Sequence, residues 1–267
     1  MNNFRINHLS KPALPGLRQQ GLSLIELMVA VILGLFITLG LSQLFLSMYS
    51  TSASQNTLAQ YQDNQRIAIV MLTNTTQIAG YYYNPTAQTA NAALPSLVTA
   101  NTDTSSFTAG TGITGVGDAT GTTAATSDSI NIYFLSSGSD NIYNCQGGIA
   151  AAGTPTAFVN SFSIDANNQL QCAVTTIVAN VATGPNTPLV LATGVRSMNI
   201  LYGVDVANTG TVSSYLSANA VQAAGLWANV RTVQITLNFL TPNVLNPGAT
   251  MTTSIPWVQT INLMRQS

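Results

Sequence analysis

The chain has 267 residues, of which 46% are apolar and only 6% are charged. Its cations divide unevenly: Arg5, Lys11 and Arg18 precede Gly21 with no acid among them, whereas all eight acids follow it, against Arg66, Arg196, Arg231 and Arg265. That balance gives no basic footprint for nucleic acid, and the only histidine, His8, leaves the rest of the chain without Ser-His-Asp or His-metal chemistry.

Residues 1–21 read as a basic leader. From Leu27 to Met48 run 22 residues without a charge, and at about 1.5 Å per residue such a helix covers about 33 Å, enough to cross a bilayer core. Glu26 stands just inside this run, where a charge costs about 2.5–3.5 kcal/mol or more at mid-membrane depth. An ordinary secretory signal places its cleavage site after a core of about 7–15 apolar residues. Here Gly21 comes before the run, and the run is longer. Positive charge on the N-terminal flank alone predicts a cytoplasmic leader with the C-terminal domain on the far side of the membrane.

The helical pattern continues, with residues 22–48 read as a transmembrane segment and 49–80 as an amphipathic helix entering a domain. No proline interrupts Leu22 to Tyr83. Gly34 and Gly40 loosen the apolar half or permit close packing. Leu58, Tyr61, Ala68 and Leu72 mark the face expected against the domain. Gly80, followed by Tyr81-Tyr82-Tyr83-Asn84-Pro85, stops the helix.

Residues 81–267 read as a β-rich globular domain. Its first part, at about 85–127, is rich in Thr, Gly and Ala, offers few large apolar residues, and is expected to form long loops with one or two short strands. The period then becomes two: Ile130, Ile132 and Phe134 alternate with Asn131 and Tyr133. Val233, Ile235, Leu237 and Phe239 alternate with Thr232, Gln234, Thr236 and Asn238. Leu189–Val204 contains one or two further strands, and Ile255–Leu263 ends the sheet. The class is therefore α+β, a long N-terminal helix packed on a C-terminal antiparallel sheet. Cys145 and Cys172 are expected to form a disulfide in an exported chain, the alternative being two separate buried thiols. Asp128, Asp140 and Asp165 are available as carboxylates, but nothing spaces them as a catalytic pair. With no Gly-x-Ser-x-Gly stretch, the expectation is no enzyme, no cofactor and no metal site.

The residues around the leader junction carry a resemblance. Gly21-Leu22-Ser23-Leu24-Ile25-Glu26-Leu27-Met28 resembles the prepilin signal of type IV pilins and type II secretion pseudopilins. There a leader ends in Gly and the mature chain carries Glu at its fifth position. The resemblance implies a pilin-like fold, cleavage between Gly21 and Leu22 by prepilin peptidase, and N-methylation of Leu22. It also implies pairing of Glu26 with the amino terminus of a neighbouring subunit, which fixes axial register.

Two internal stretches are similar to the PilW-like minor pilins: Gln65-Arg66 through Gly80-Tyr81, and Gly194 through Tyr202-Gly203-Val204-Asp205, then Trp227 and Arg231 in Val230–Leu237. Arg66, Gly80, Tyr81, Tyr202, Gly203, Asp205, Trp227 and Arg231 are the motif positions, with structural roles: Asp205 as a turn or capping residue, Tyr202 and Trp227 in the core or at a sheet edge. Arg231 either faces outward or pairs with an acid that the sequence does not identify. The turn Val206-Ala207-Asn208-Thr209-Gly210 departs from the family's Asp- and Gly-rich pattern, which argues against calcium there. The implied function is a minor pilin that helps initiate pilus assembly in a tip complex, serving adhesion, twitching motility or DNA uptake. The implied partners are prepilin peptidase, the other minor pilins and the major pilin, the pilus assembly platform and the inner membrane, with no nucleic acid bound by this subunit. The precursor would sit in the inner membrane and the mature chain in the pilus at the cell surface. The rivals are a minor pseudopilin of a type II secretion system and a pilin-stalked adhesin using residues 85–127.

Overall fold

The computed structural model describes residue 21 and residues 23–98, 106–241 and 254–264. The leader charges, Leu22 and Arg265 lie outside them. The chain divides into two compact units, Met1–Ser52 and Ala53–Ser267.

The dominant element is one unbroken helix, α1 (Leu24–Gln77). Through the first unit its apolar side chains are exposed, from Leu24 at 77% to Met48 at 69%. In the second unit α1 becomes a packed element, with Ala68, Leu72, Thr75 and Thr76 buried and Tyr61 set edge-on to Phe239 at 6.3 Å. Leu58 was expected on the buried face and is instead 44% exposed. It lies nearly a turn before Tyr61, whose ring reaches the core through Phe239.

The remaining elements are α2 (Ala90–Ala93), β1 (Leu97–Val98), β2 (Ser106–Phe107), β3 (Ile113–Val116), β4 (Ser129–Ser136), β5 (Thr156–Ile164), β6 (Gln169–Val178), β7 (Val181–Thr183), β8 (Leu189–Thr193), β9 (Val195–Val204), β10 (Ser214–Ser217), α3 (Ala218–Ala224), β11 (Val230–Leu240) and β12 (Ser254–Asn262). The α+β class holds, with a long apolar N-terminal helix and a C-terminal antiparallel β domain. The strands form two large antiparallel sheets rather than one. The first runs β3-β4-β5-β6-β7 with β8 also on β6, the second runs β10-β9-β11-β12, and β1-β2 make a small ribbon.

The main core lies between them. Ile130, Ile132, Phe134, Phe158 and Phe162 of the first sheet meet Met198, Ile200, Tyr202, Val233, Ile235 and Leu237 of the second, together with Ala68 and Leu72 of α1. β11 alternates between buried and half-buried over most of its length, as its sequence period demands.

β4 differs: nearly all its positions are buried, because the first sheet is covered on both faces. Its second face carries Tyr133, Val159 and Ile177, packed under Tyr82, Ala93, Leu94 and Phe107. The region at 85–127 is therefore more than loop. Its few large apolar residues form the cover of a second core, and β3 joins the first sheet. The short distance from helix end to sheet depends on glycine. Gly80 turns the chain at φ +78° and donates its N–H to Tyr133 O at 2.9 Å. A Cβ on Gly112 would run into the Gly80 backbone. Gly112→Ala is thus expected to cost about 1–3 kcal/mol through forced backbone movement, read as a lower denaturation midpoint with an unchanged m-value.

The cysteines form the Cys145–Cys172 disulfide. It ties the loop after β4 to β6, and both residues are buried. Cys145 N–H donates to Asn160 Oδ1 at 3.1 Å, and Gln146 Nε2 donates to Cys172 O at 2.8 Å.

Candidate functional site

Two features carry the chemistry: the exposed start of α1, and a cluster at one end of the second sheet. Glu26 lies in the first turn of α1, exposed, among the exposed apolar side chains Leu24, Ile25, Leu27 and Met28. An acid there suits the positive end of a helix dipole. The carboxylate has no hydrogen-bond or ion-pair partner among the described residues. A Cβ on Gly21, Gly34 or Gly40 would meet nothing within 4 Å among the described residues. Leu22, the expected first mature residue, lies outside the described residues.

The cluster is built where β9 ends. Asp205 follows the last strand residue and is fully buried. Its carboxylate accepts from Thr209 N–H at 2.9 Å and Gly210 N–H at 2.7 Å, closing the turn back toward β10. Arg231 Nη2 reaches it at 3.4 Å and also donates to Asn208 Oδ1 at 3.2 Å. The acid that Arg231 meets is therefore Asp205. The Asp205 main chain is bonded too, its N–H to Asn229 O at 2.9 Å and its C=O from Asn229 Nδ2 at 2.8 Å.

Burial works to raise the Asp205 pKa, but the Thr209 and Gly210 amides and the Arg231 guanidinium prevail and hold it below the usual carboxylate range. The sign follows from linkage. A depressed folded-state pKa adds stability that is complete above the unfolded value of about 4 and disappears as pH falls through the folded value. Asp205→Asn is expected to lower the melting temperature at neutral pH and to flatten its fall on acidification. A variant whose acid limb matches the parent's would show that the turn does not depend on this charge.

Beside it, Tyr202 is fully buried, and its ring packs edge-on to Trp227 at 4.9 Å. Trp227 Nε1 donates to Gln222 Oε1 on α3 at 2.6 Å. Gly203 lies opposite both Tyr215 and Thr232. A Cβ there would strike the Thr232 side chain. Gly80, Trp227 and Arg231 line one cleft of about 320 Å³, with Thr111, Gly112 and Leu263. Two motif positions stand apart. Arg66 forms an exposed pair with Asp63 at 3.1 Å, a kind worth little in water. Tyr81 donates its hydroxyl to Asp140 at 3.2 Å.

Sequence reasoning missed a latch next to this cluster. β10 pairs only with Leu201–Val204 of β9, and the rest of that edge is taken by Ser127 and Asp128. Asp128 N–H donates to Met198 O at 2.8 Å, Met198 N–H to Ser127 Oγ at 2.8 Å, and Ile200 N–H to Asp128 Oδ2 at 2.7 Å. Burial pushes the Asp128 carboxyl up despite the Ile200 and Ala119 amides that donate to it. The Tyr202 phenol is raised well above its usual value, first by burial and then by the Asp128 charge. Its Oη finds no partner among the described residues. The only available signal was the Ser-Asp pair before a strand, which is common in turns.

Asp140 serves Ser136, Ser137 and Tyr81, while Asp165 caps its own turn at Asn167 and Gln169. Each carboxylate is thus committed to local structure. Among the described residues no three or more His, Cys, Asp or Glu side chains gather as a metal site.

Residues 16–42 match the family described as Prokaryotic N-terminal methylation motif, and residues 156–259 match Type IV Pilus-assembly protein W. The second match starts at β5 and ends in β12, so it contains β9, the Asp205 turn, Trp227 and Arg231. No curated protein and no solved structure matches the chain. The first match overlaps the start of the long apolar helix and the second lies within the antiparallel β domain, and together they support a PilW-like type IV pilin with a prepilin signal.

Proposed function

We propose that this minor pilin of a type IV pilus is cut between Gly21 and Leu22 by prepilin peptidase, methylated at Leu22, and passed from the inner membrane into a complex that initiates the pilus and stays at its tip. The observation that carries the reading is the exposed apolar face from Leu24 to Met48 with one carboxylate, Glu26, at its start. That face needs an apolar environment, supplied first by lipid and then by the helices of the major pilin and the other minor pilins. In both settings a lone carboxylate is costly without a cation. The amino terminus of an adjacent subunit would be that cation, and the pairing would set the axial register.

The cluster at Asp205, Trp227 and Arg231 shapes one end of the second sheet. It supports a structural role, with the chain as the object of an enzyme. The match to the pilus-assembly family favours a pilus over a type II secretion pseudopilin. The stalked-adhesin reading would use the exposed part of the 85–127 region, since Leu94 and Phe107 are buried against the first sheet.

The test is intact-mass measurement of the N-terminus on sheared pili and on the membrane fraction. A chain beginning at Leu22 with a methylated amine in the sheared fraction supports the reading. An uncut chain confined to the membrane overturns it. Gold labelling along the whole shaft, rather than at filament ends, would remove the tip assignment alone.

A further inference from the structure

We propose that β12 accepts an extended, uncharged strand from a second protein chain, which adds antiparallel to it as the fifth strand of the β10-β9-β11-β12 sheet. Among the described residues β12 is an outer strand paired only with β11. The other outer strands of the two large sheets, β3, β7, β8 and β10, run three to five residues, whereas β12 runs nine.

The register shows which backbone groups are free. Leu263 N–H donates inward to Arg231 O at 3.0 Å, and Thr232 lies opposite Asn262. The odd-numbered amides from Ile255 to Ile261 therefore face β11, and the even-numbered positions face outward. Pro256 falls at an outward position, where its missing N–H breaks no bond to β11. Val258 and Asn262 have no backbone partner on the outer side among the described residues, and Thr260 O receives only Gln259 Nε2 at 3.3 Å. Met264 N–H donates to Gln77 O at 3.2 Å and ends the open edge there.

Natural edges are normally shortened, bulged or charged to prevent pairing. This one has no charge and no bulge; its one protection is Pro256, which removes an outward N–H near the start of the strand and leaves Val258 to Asn262 as the open stretch. Its sequence, Ser-Ile-Pro-Trp-Val-Gln-Thr-Ile-Asn, holds no charge, and Ile255, Trp257 and Val258 are 45–54% exposed. Only another strand can return N–H and C=O groups at this spacing, so the occupant is extended polypeptide. The seam between β12 and α1 is lined by Ile69, Thr73, Trp257 and Gln259. The side chains that an added strand turns toward α1 would therefore meet an uncharged lining. The inference rests on the β domain alone and stands apart from the assignment to a pilus.

The experiment places a photo-reactive p-benzoylphenylalanine at Val258 or, separately, at Thr260 of the full chain in the cells that make it, and maps the adducts by mass spectrometry. The expected result is two adducts in one segment of another chain, two residues apart and in reverse order. Val258→Lys in the Thr260 probe chain should cut the adduct on the order of tenfold while the unfolding temperature stays unchanged. Adducts confined to lipid, scattered adducts, adducts on a helical segment, or an undiminished yield with lysine would each overturn it. Hydrogen exchange on the purified chain adds an independent reading. Rapid exchange at Val258 and Thr260 beside protected Gln259 and Ile261 is expected, and protection at all four would mean that the edge is already occupied.

Discussion

Replacing Gly21 with leucine is expected to leave essentially the whole population uncut, with the leader attached and no methylated amine. A Cβ at Gly21 would touch nothing within 4 Å among the described residues, so the substitution disturbs no described contact of this fold. Any demand for glycine must then come from whatever grips the junction, and the resemblance to prepilin signals names that agent as a peptidase with a tight subsite. Intact mass of the membrane fraction reads the outcome directly, and accumulation of normal product would remove Gly21 from the site.

Glu26→Gln makes the complementary test. It keeps shape and hydrogen-bonding capacity but removes the charge from a helix turn that has no internal partner for it. Cutting is expected to persist while recovery in sheared filaments falls sharply, since an uncompensated amino terminus would remain in a low-dielectric setting.

Removal of the disulfide should produce the largest loss of stability. Cys145 and Cys172 are 27 positions apart, and cross-linking a loop of that size restricts the unfolded chain by about 3–4 kcal/mol on the chain-entropy account. For a domain of this size that corresponds to a melting temperature lower by about 10 °C. The Cys145→Ala/Cys172→Ala double variant avoids leaving a reactive thiol. Its thermal unfolding, with the parent chain in reductant as comparison, checks the figure. A fall equivalent to less than about 1 kcal/mol would show that the bonds through Asn160 and Gln146 hold the loop unaided.

The parts legible in the sequence were those whose signal is local. β11 announced itself because one of its faces is buried and the other is not, so its residues alternate. The helix announced itself through 22 uncharged residues and the absence of proline. β5 and β6 gave no such signal. They lie inside a sheet covered on both sides, and buried polar residues such as Asn160 and Thr175 interrupt the apolar run that such strands otherwise show. The 85–127 region misled because composition averages over position. Leu94 and Phe107 are few, but both are placed where a whole sheet face needs covering. Arg231 illustrates the same limit. Its partner Asp205 is 26 residues away, and no period or spacing links them until β9 and β11 pair.

The sequence by itself determined what depends on neighbours along the chain: the basic leader, the glycine junction, the acid within an apolar helix, and a long α1 followed by antiparallel strands. Those features follow from the dielectric of a bilayer and from the repeat lengths of helix and strand. Tertiary structure alone decided that the strands divide into two sheets and that Ser127 and Asp128 complete the β9 edge. It also decided that Gly80, Trp227 and Arg231 share a cleft and that, among the described residues, β12 pairs with β11 alone. Each of these depends on hydrogen bonds and contacts between segments far apart in sequence, which form only when the register between strands has been set.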